Sequence, residues 1–372
     1  MKTIVIDARF WGPSHTGLGR YTQSLITALH DLKPNFKISL LVPRVKKREL
    51  QSIFPRFAII PVNSSHYTFS EQIEIPQVLN QLQPDLVHFL HFNAPIFYHR
   101  QFIVTIHDLI KHHSSGLTTT TRWPLIYPVK RLGYKLVIQN AINNSRLILT
   151  PSRWVKEDIK LHYSVSREKI LITPEAADPL FFKPVPLVKN ELIPSQPYLI
   201  YVGNAYPHKN IPQLIKAVLE YNQRYQQDLK LVIVTNKDIF YQRLRQQIRN
   251  LKALNVIKIK GFTDDCVLRS LYHYSAGFIT ASLFEGFGLP GLEAMAAKTL
   301  VLSSNQSCLP EVYGPHAFYF DPGNIEAIVA VISKALNLNN REKLLNQAQN
   351  YARNFSWEKT ALATLNAYQK IL

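Results

Sequence analysis

Two glutamates, Glu285 and Glu293, stand with seven residues between them in the stretch EGFGLPGLEAMAA. Gly286 and Gly288 allow a tight loop, Pro290 suits the first turn of a helix, and Glu293 falls inside that helix. A helix starting here would aim backbone N–H groups at an anion, as a diphosphate site requires. The carboxylates would flank that anion, Glu285 accepting hydrogen bonds from sugar hydroxyls and Glu293 from a ribose. A second group lies in YVGNAYPHKN: Gly203 permits close backbone approach, and His208 and Lys209 put a donor and a fixed positive charge where a diphosphate would lie.

Three further stretches contribute polar residues. VTIHDL closes an apolar run with His107 and Asp108, and LTPSRWVKEDI places Ser152 and Arg153 at a helix start after another. DARFWGPSHTGLGRYT carries Gly17 and Gly19, but position 22 is Thr, so the dinucleotide fingerprint is incomplete and a nicotinamide enzyme is disfavoured. His88, His91, His112 and His113 are dense without a metal-ligand spacing, and Asp264-Asp265 reads as a helix N-cap. We expect no metal and no cofactor.

These residues need strands that end beside them. Short apolar runs at 3–7, 37–42, 86–89, 102–106, 147–150 and 170–172 alternate with helix-like segments, the pattern of a doubly wound parallel sheet. A proline-rich stretch, 184–197, interrupts the alternation and is expected as a linker. The series resumes with 198–202, 229–235, 256–260, 277–280 and 300–303, and Ser356 could cap a last helix running to Leu372. The expected domains are therefore 1–183 and 198–355. Ligands of such sheets collect at the carboxyl ends of the strands, where the polar residues above fall.

The chain of 372 residues is 46% hydrophobic and 18% charged, enough for two real cores and little disorder. Cys266 and Cys308 form no disulfide framework or zinc spacing, and no signal peptide or long apolar stretch is visible, so a cytoplasmic location is expected. The net charge of +18, in larger excess in the first half, suits a phosphorylated substrate or an anionic membrane surface. Without a nucleic-acid signature, DNA or RNA is not an expected partner. Residues 118–137 mix Trp123, Tyr127 and Tyr134 with Lys130, Arg131 and Lys135, and Arg44–Arg48 adds a basic run. Either a peripheral membrane contact or a solvated basic face fits these.

Glu285 and Glu293 with GFGLP between them resemble the E-x7-E signature of glycosyltransferase family four, the retaining enzymes of GT-B architecture, and the likeness runs through nearly the whole chain. The resemblance implies an α/β fold of two Rossmann-like domains facing across a cleft, an acceptor-binding first and a nucleotide-sugar-binding second, with 356–372 crossing back to the first. It implies donor contacts from Gly17, Gly19, Gly203, Asn204, His208, Lys209, Gly261, Phe262, Glu285, Gly286, Phe287, Gly288, Leu289 and Glu293. His107 corresponds to a histidine that hydrogen-bonds the donor sugar, and Asp108, Ser152 and Arg153 would line the acceptor side. Lys209 matches the diphosphate lysine, whereas Asn204 stands where many members have Arg, so His208 or Arg153 would have to replace that charge. YVGNxxPHKN with TIHDL looks most like members that transfer mannose from GDP-mannose to a sugar or lipid-linked acceptor in cell-surface polysaccharide assembly. The other readings are a different enzyme of this architecture, such as an epimerase, and a non-catalytic nucleotide-binding partner protein.

Overall fold

The computed structural model describes residues 1–12, 15–113, 127–184 and 193–372. They form two compact units. The first comprises the described residues of Met1–Leu109, Arg122–Glu175 and Ser356–Leu372, and the second those of Ile110–Thr121 and Ala176–Phe355.

The first unit is built on seven parallel strands: β1 (Thr3–Asp7), β2 (Lys37–Pro43), β3 (Ala58–Val62), β4 (Leu86–Phe89), β5 (Phe102–Thr105), β6 (Ile148–Thr150) and β7 (Ile170–Ile172), in the order β3-β2-β1-β4-β5-β6-β7. β1 sits centrally, Ile4 opposite Leu86 and Ile38. β4, β5 and β6 are buried on both faces, which explains why they read as unbroken apolar runs. β3 escapes the sequence reading because Pro61 interrupts it. It is an edge strand, where a proline without an N–H costs no inner ladder bond.

The last helix, Trp357–Ile371, belongs to this unit. Ser356 caps it, its hydroxyl accepting from the Lys359 N–H at 3.2 Å. One face packs on the helix Thr16–Asp31, and the Tyr368 hydroxyl reaches the His88 ring at 2.8 Å. His88, fully buried, also meets Thr105 Oγ1 at 2.9 Å. Burial drives its pKa down to about 3, with His107 adding to the effect, so the ring is a neutral hydrogen-bonding strut of the core.

The second unit has six parallel strands: β8 (Tyr198–Val202), β9 (Lys230–Val234), β10 (Ile257–Lys260), β11 (Gly277–Thr280), β12 (Val301–Ser304) and β13 (Ala317–Phe320), ordered β10-β9-β8-β11-β12-β13. Its core joins Leu199, Ile233, Ile279 and Leu302 of the sheet to Leu214, Val218, Ile328 and Ile332 of the covering helices, all at most 3% exposed. Burying each such side chain stabilises by about 1.5–3 kcal/mol before conformational entropy is counted. β13, a four-residue edge strand, has no counterpart in the sequence reading.

The segment before the proline-rich stretch groups with the second unit: Phe181 packs on Tyr272 at 5.9 Å, and the Leu180 carbonyl accepts from Arg269 Nη1 at 3.0 Å. The chain therefore changes unit at Glu175–Ala176, ahead of the boundary the prolines suggest. Residues 185–192 of the expected linker and 118–126 of the basic aromatic segment lie outside the described residues.

Candidate functional site

In the second sheet the strand order reverses between β8 and β11, with β9 and β10 on one side and β12 and β13 on the other. The loops leaving these two strands bound the crevice in which such sheets hold ligands. One carries Gly203 to Lys209 and the other Glu285 to Gly288. They are tied by a backbone bond from Leu283 N–H to the His208 carbonyl at 2.8 Å.

Lys209 ends a short 3-10 turn, Pro207–Lys209, and Asn210 with φ +55° swings the chain into the helix Ile211–Tyr225. Asn210 Nδ2 fastens that corner to the Pro322 carbonyl at 2.9 Å. Thus positioned, the Lys209 ammonium donates to Glu285 Oε1 at 2.6 Å, each side chain 16% exposed. Burial pushes the Glu285 carboxyl up, but the charge and hydrogen bond of Lys209, helped by His208 and Ser282, bring it below its ordinary value. His208 is itself lowered to about 4, by burial first and Lys209 second, so its ring is neutral at physiological pH.

Gly288 precedes the helix Leu289–Ala296 with φ +92°, a conformation that favours glycine. A Cβ there would lie 2.6 Å from both Leu309 Cδ2 and the Tyr313 hydroxyl. That hydroxyl donates to the Gly288 carbonyl at 2.6 Å and so holds the start of the helix. Ser307 Oγ accepts from the Glu285 N–H at 3.0 Å, and Cys308 Sγ donates to the Glu285 carbonyl at 3.2 Å. Glu293 is buried one turn into the helix.

Other residues expected to contact a donor are placed differently. Phe287 and Leu289 are buried, Phe287 edge-on to Phe355 at 5.9 Å, so this stretch offers a ligand backbone rather than side chains. The Asn204 carbonyl accepts from the Tyr201 hydroxyl at 2.8 Å, which shapes the loop with Gly203 at φ +145°. Gly261 and Phe262 follow β10, two strands from the reversal, with Phe262 66% exposed. Asp264 caps the helix Asp265–Tyr274, accepting from the Cys266 and Val267 N–H groups.

In the first unit Gly17 and Gly19 sit in the opening turns of the helix Thr16–Asp31 rather than in a loop. Gly19 passes so near Gly12 that a Cβ would fall 2.0 Å from its carbonyl oxygen, whereas Gly17 has open space around it. Ser152 is buried, and its hydroxyl caps the helix Arg153–His162 by accepting from Val155 N–H at 3.2 Å. Arg153 is exposed, and Asp108 half-buried beside His107.

His107 follows β5 and is 8% exposed. Its Nδ1 lies 3.1 Å from Glu175 Oε1 and its Nε2 3.0 Å from the Leu90 carbonyl. No local pattern marks Glu175, whose contact with His107 joins positions far apart along the chain. Also unread was a buried ion network after β1, in which Arg9, 1% exposed, binds both oxygens of Asp7 at 2.8 and 2.7 Å and Glu71 Oε1 at 2.6 Å. Its one visible sign was the Asp-Ala-Arg sequence at a strand end.

Comparison with known proteins bears on the whole chain. Residues 15–181 match the family described as Glycosyltransferase Family 4, and residues 187–355 that described as Glycosyl transferases group 1. The chain is 28% identical over 293 residues to the O-antigen chain mannosyltransferase B of Escherichia coli, covering 75% of this chain and 74% of that protein. It is 22% identical to the O-antigen chain mannosyltransferase RfbU of Salmonella typhimurium over 95% of this chain and 96% of that one. A sucrose-phosphate synthase from Thermosynechococcus elongatus superposes with a TM-score of 0.80 at 18% identity, over 100% of this chain and 99% of the other, a likeness of fold.

Proposed function

The chain belongs to glycosyltransferase family four and has the GT-B fold, and from that premise we propose that it transfers a hexose, with retention and without a metal ion, from a nucleoside-diphosphate sugar to a carbohydrate or lipid-linked acceptor. The observation that carries the reading is the Lys209–Glu285 pair at 2.6 Å, beside the Gly288-capped helix start at the strand reversal of the second sheet. A diphosphate competes with Glu285 for the Lys209 ammonium and gains the helix N-terminus as well. Glu285, relieved of its partner, accepts hydrogen bonds from sugar hydroxyls, while Glu293 serves the ribose.

In this mechanism the bond from the sugar's anomeric carbon to the diphosphate oxygen breaks, and the acceptor oxygen bonds to the same face. The acceptor's proton passes to the departing diphosphate. The protein's contribution is preorganised positive potential on the leaving group, the kind of contact whose loss costs on the order of 10²-fold in rate. Mannose from GDP-mannose is the favoured donor, because two of the similar proteins are named as O-antigen mannosyltransferases. The same names support assembly of a cell-surface polysaccharide as the setting, and a location at the cytoplasmic side of the membrane is part of the proposal.

Contact with an anionic membrane is part of the proposal. The helix Tyr127–Asn144 exposes Leu132 by 59% and Leu136 by 55%, with Lys130 and Lys135 exposed on the same helix. Among the described residues no helix is long and apolar enough to cross a bilayer. The test of the chemistry is NMR of the sugar released or transferred from GDP-α-mannose in EDTA. First-formed α product is expected; first-formed β product, or activity that disappears in EDTA, would overturn retention or metal independence respectively.

A further inference from the structure

His107 has an acceptor at each ring nitrogen. The Leu90 carbonyl, 3.0 Å from Nε2, has no proton to give and can only accept. The Glu175 carboxylate, 3.1 Å from Nδ1, is likewise an acceptor when ionised. A neutral imidazole carries one N–H and would leave a lone pair facing one of these oxygens. An imidazolium satisfies both, and in a buried position the charge-assisted bond to a carboxylate is the stronger. We infer that Glu175 is a positioning residue that holds His107 as an imidazolium, so that His107 provides a fixed positive charge and cannot be the base that takes the acceptor's proton.

The surroundings support the assignment. Tyr21 lies edge-on to the His107 ring at 4.5 Å, and Trp357 lies against Tyr21 at 5.8 Å, so aromatic rings pack on this side of the imidazole. Glu175 is held by its neighbours in sequence: Thr173 N–H donates to the Thr150 carbonyl at 2.8 Å, and Thr360 Oγ1 to the Pro174 carbonyl. The backbone on the amino side of Glu175 is thereby fixed.

The other titratable groups facing the ring are Asp108 beside it in the chain, His88 from β4, His91 with its ring 6.1 Å away, and Tyr21. Burial works against the charge, and His88 is neutral. Glu175 prevails, with the Leu90 carbonyl and Asp108 adding to it, and the imidazole is raised above its ordinary value.

The catalytic consequence rests on the transferase reading, but the protonation state does not, and the experiment separates them. In ¹⁵N-histidine-labelled full-length protein, assigned through His107→Asn, both ring nitrogens of His107 are expected to be protonated at a pH just above the ordinary imidazole value of about 6.5. In Glu175→Gln the ring is expected to be neutral at that pH. A single neutral tautomer in the wild type overturns the inference even if transfer activity is found.

Where activity is measured, kcat/KM of the wild type is expected to be level through the ordinary imidazole range. In Glu175→Gln it should fall as pH rises through that range, because the cation is lost. Equal falls in both proteins would also overturn it. Should Glu175→Gln not fold, the wild-type spectrum decides alone.

Discussion

Each unit places a cation against a carboxylate just beyond the strand ends, and the two pairs differ in how much each has left to offer. Lys209 and Glu285 meet at 2.6 Å with 16% of each side chain exposed, and an ammonium has three N–H donors, so a ligand can share or displace the contact. His107 and Glu175 have 10% of each side chain exposed, and both ring nitrogens are engaged within the unit. On the proposed function the first pair exchanges its partner for a substrate. The second is built to keep its own.

The largest effect is expected from breaking the exchangeable pair. Lys209→Ala should lower transfer by roughly 10²-fold or more, because stabilisation of the leaving diphosphate is lost and Glu285 remains as a half-buried carboxylate. Steady-state rates at saturating donor check this, and a loss below about threefold would mean the pair is only structural.

Next in size is the support beneath it. A Cβ at Gly291 would lie 2.3 Å from Tyr313 Cζ, in the contact that also holds the Gly288 carbonyl. Gly291→Ala should destabilise by about 1–3 kcal/mol in urea unfolding, as overpacking does. Donor affinity should fall with it, whereas the His107 ring resonances should not move.

The pairs should also separate by pH. His208, lowered to about 4, leaves the folded state one proton short of the unfolded chain as pH drops below about 6.5, so stability falls from there toward pH 4. Glu285, also lowered, contributes stability above the ordinary carboxyl value that is lost as pH falls through its folded value. His107, raised, stabilises below about pH 6.5, and that contribution is lost as pH rises through its folded value. Urea midpoints across pH should thus lose one group's share of the slope between about 6.5 and 4 in His208→Gln, the share of buried His88 remaining, while His107→Gln should alter the slope only above about 6.5.

Smaller effects should come from the helices nearby. Ser356→Ala removes the cap of the helix that brings Trp357 and Tyr368 to the His107 side and should cost about 1 kcal/mol. Lys130→Ala should weaken sedimentation with phosphatidylserine vesicles about fivefold, near 1 kcal/mol for one cation, with no change on phosphatidylcholine. Equal binding to both vesicles would remove the charged-surface part of the proposal.

The contrast also explains what could be read from the sequence. Strands buried on both faces, such as β4 and β11, declare themselves as apolar runs, and Glu285 and Lys209 stand in recognisable loops after such strands. β3 and β13 are edges, where burial is partial and a proline is tolerated, so the pattern fades. Glycines told where the backbone turns at Gly288, but Gly17 and Gly19 proved to lie within a helix. Glu175 pairs with His107 only through the packing of β5 and β7 on either side of β6, and nothing local to TPEAAD marks it. Phe287 and Ser152 show the converse: a motif position can be taken up by packing or capping.

On the proposed function, the crevice between β8 and β11 holds a nucleoside diphosphate on Lys209. Calorimetric titration of GDP, UDP and ADP into the purified protein in EDTA tests it most directly. Saturable binding of one of them is expected, weakened at least tenfold in Lys209→Ala with the fold intact; binding unchanged by that substitution, or binding of none, would overturn the reading.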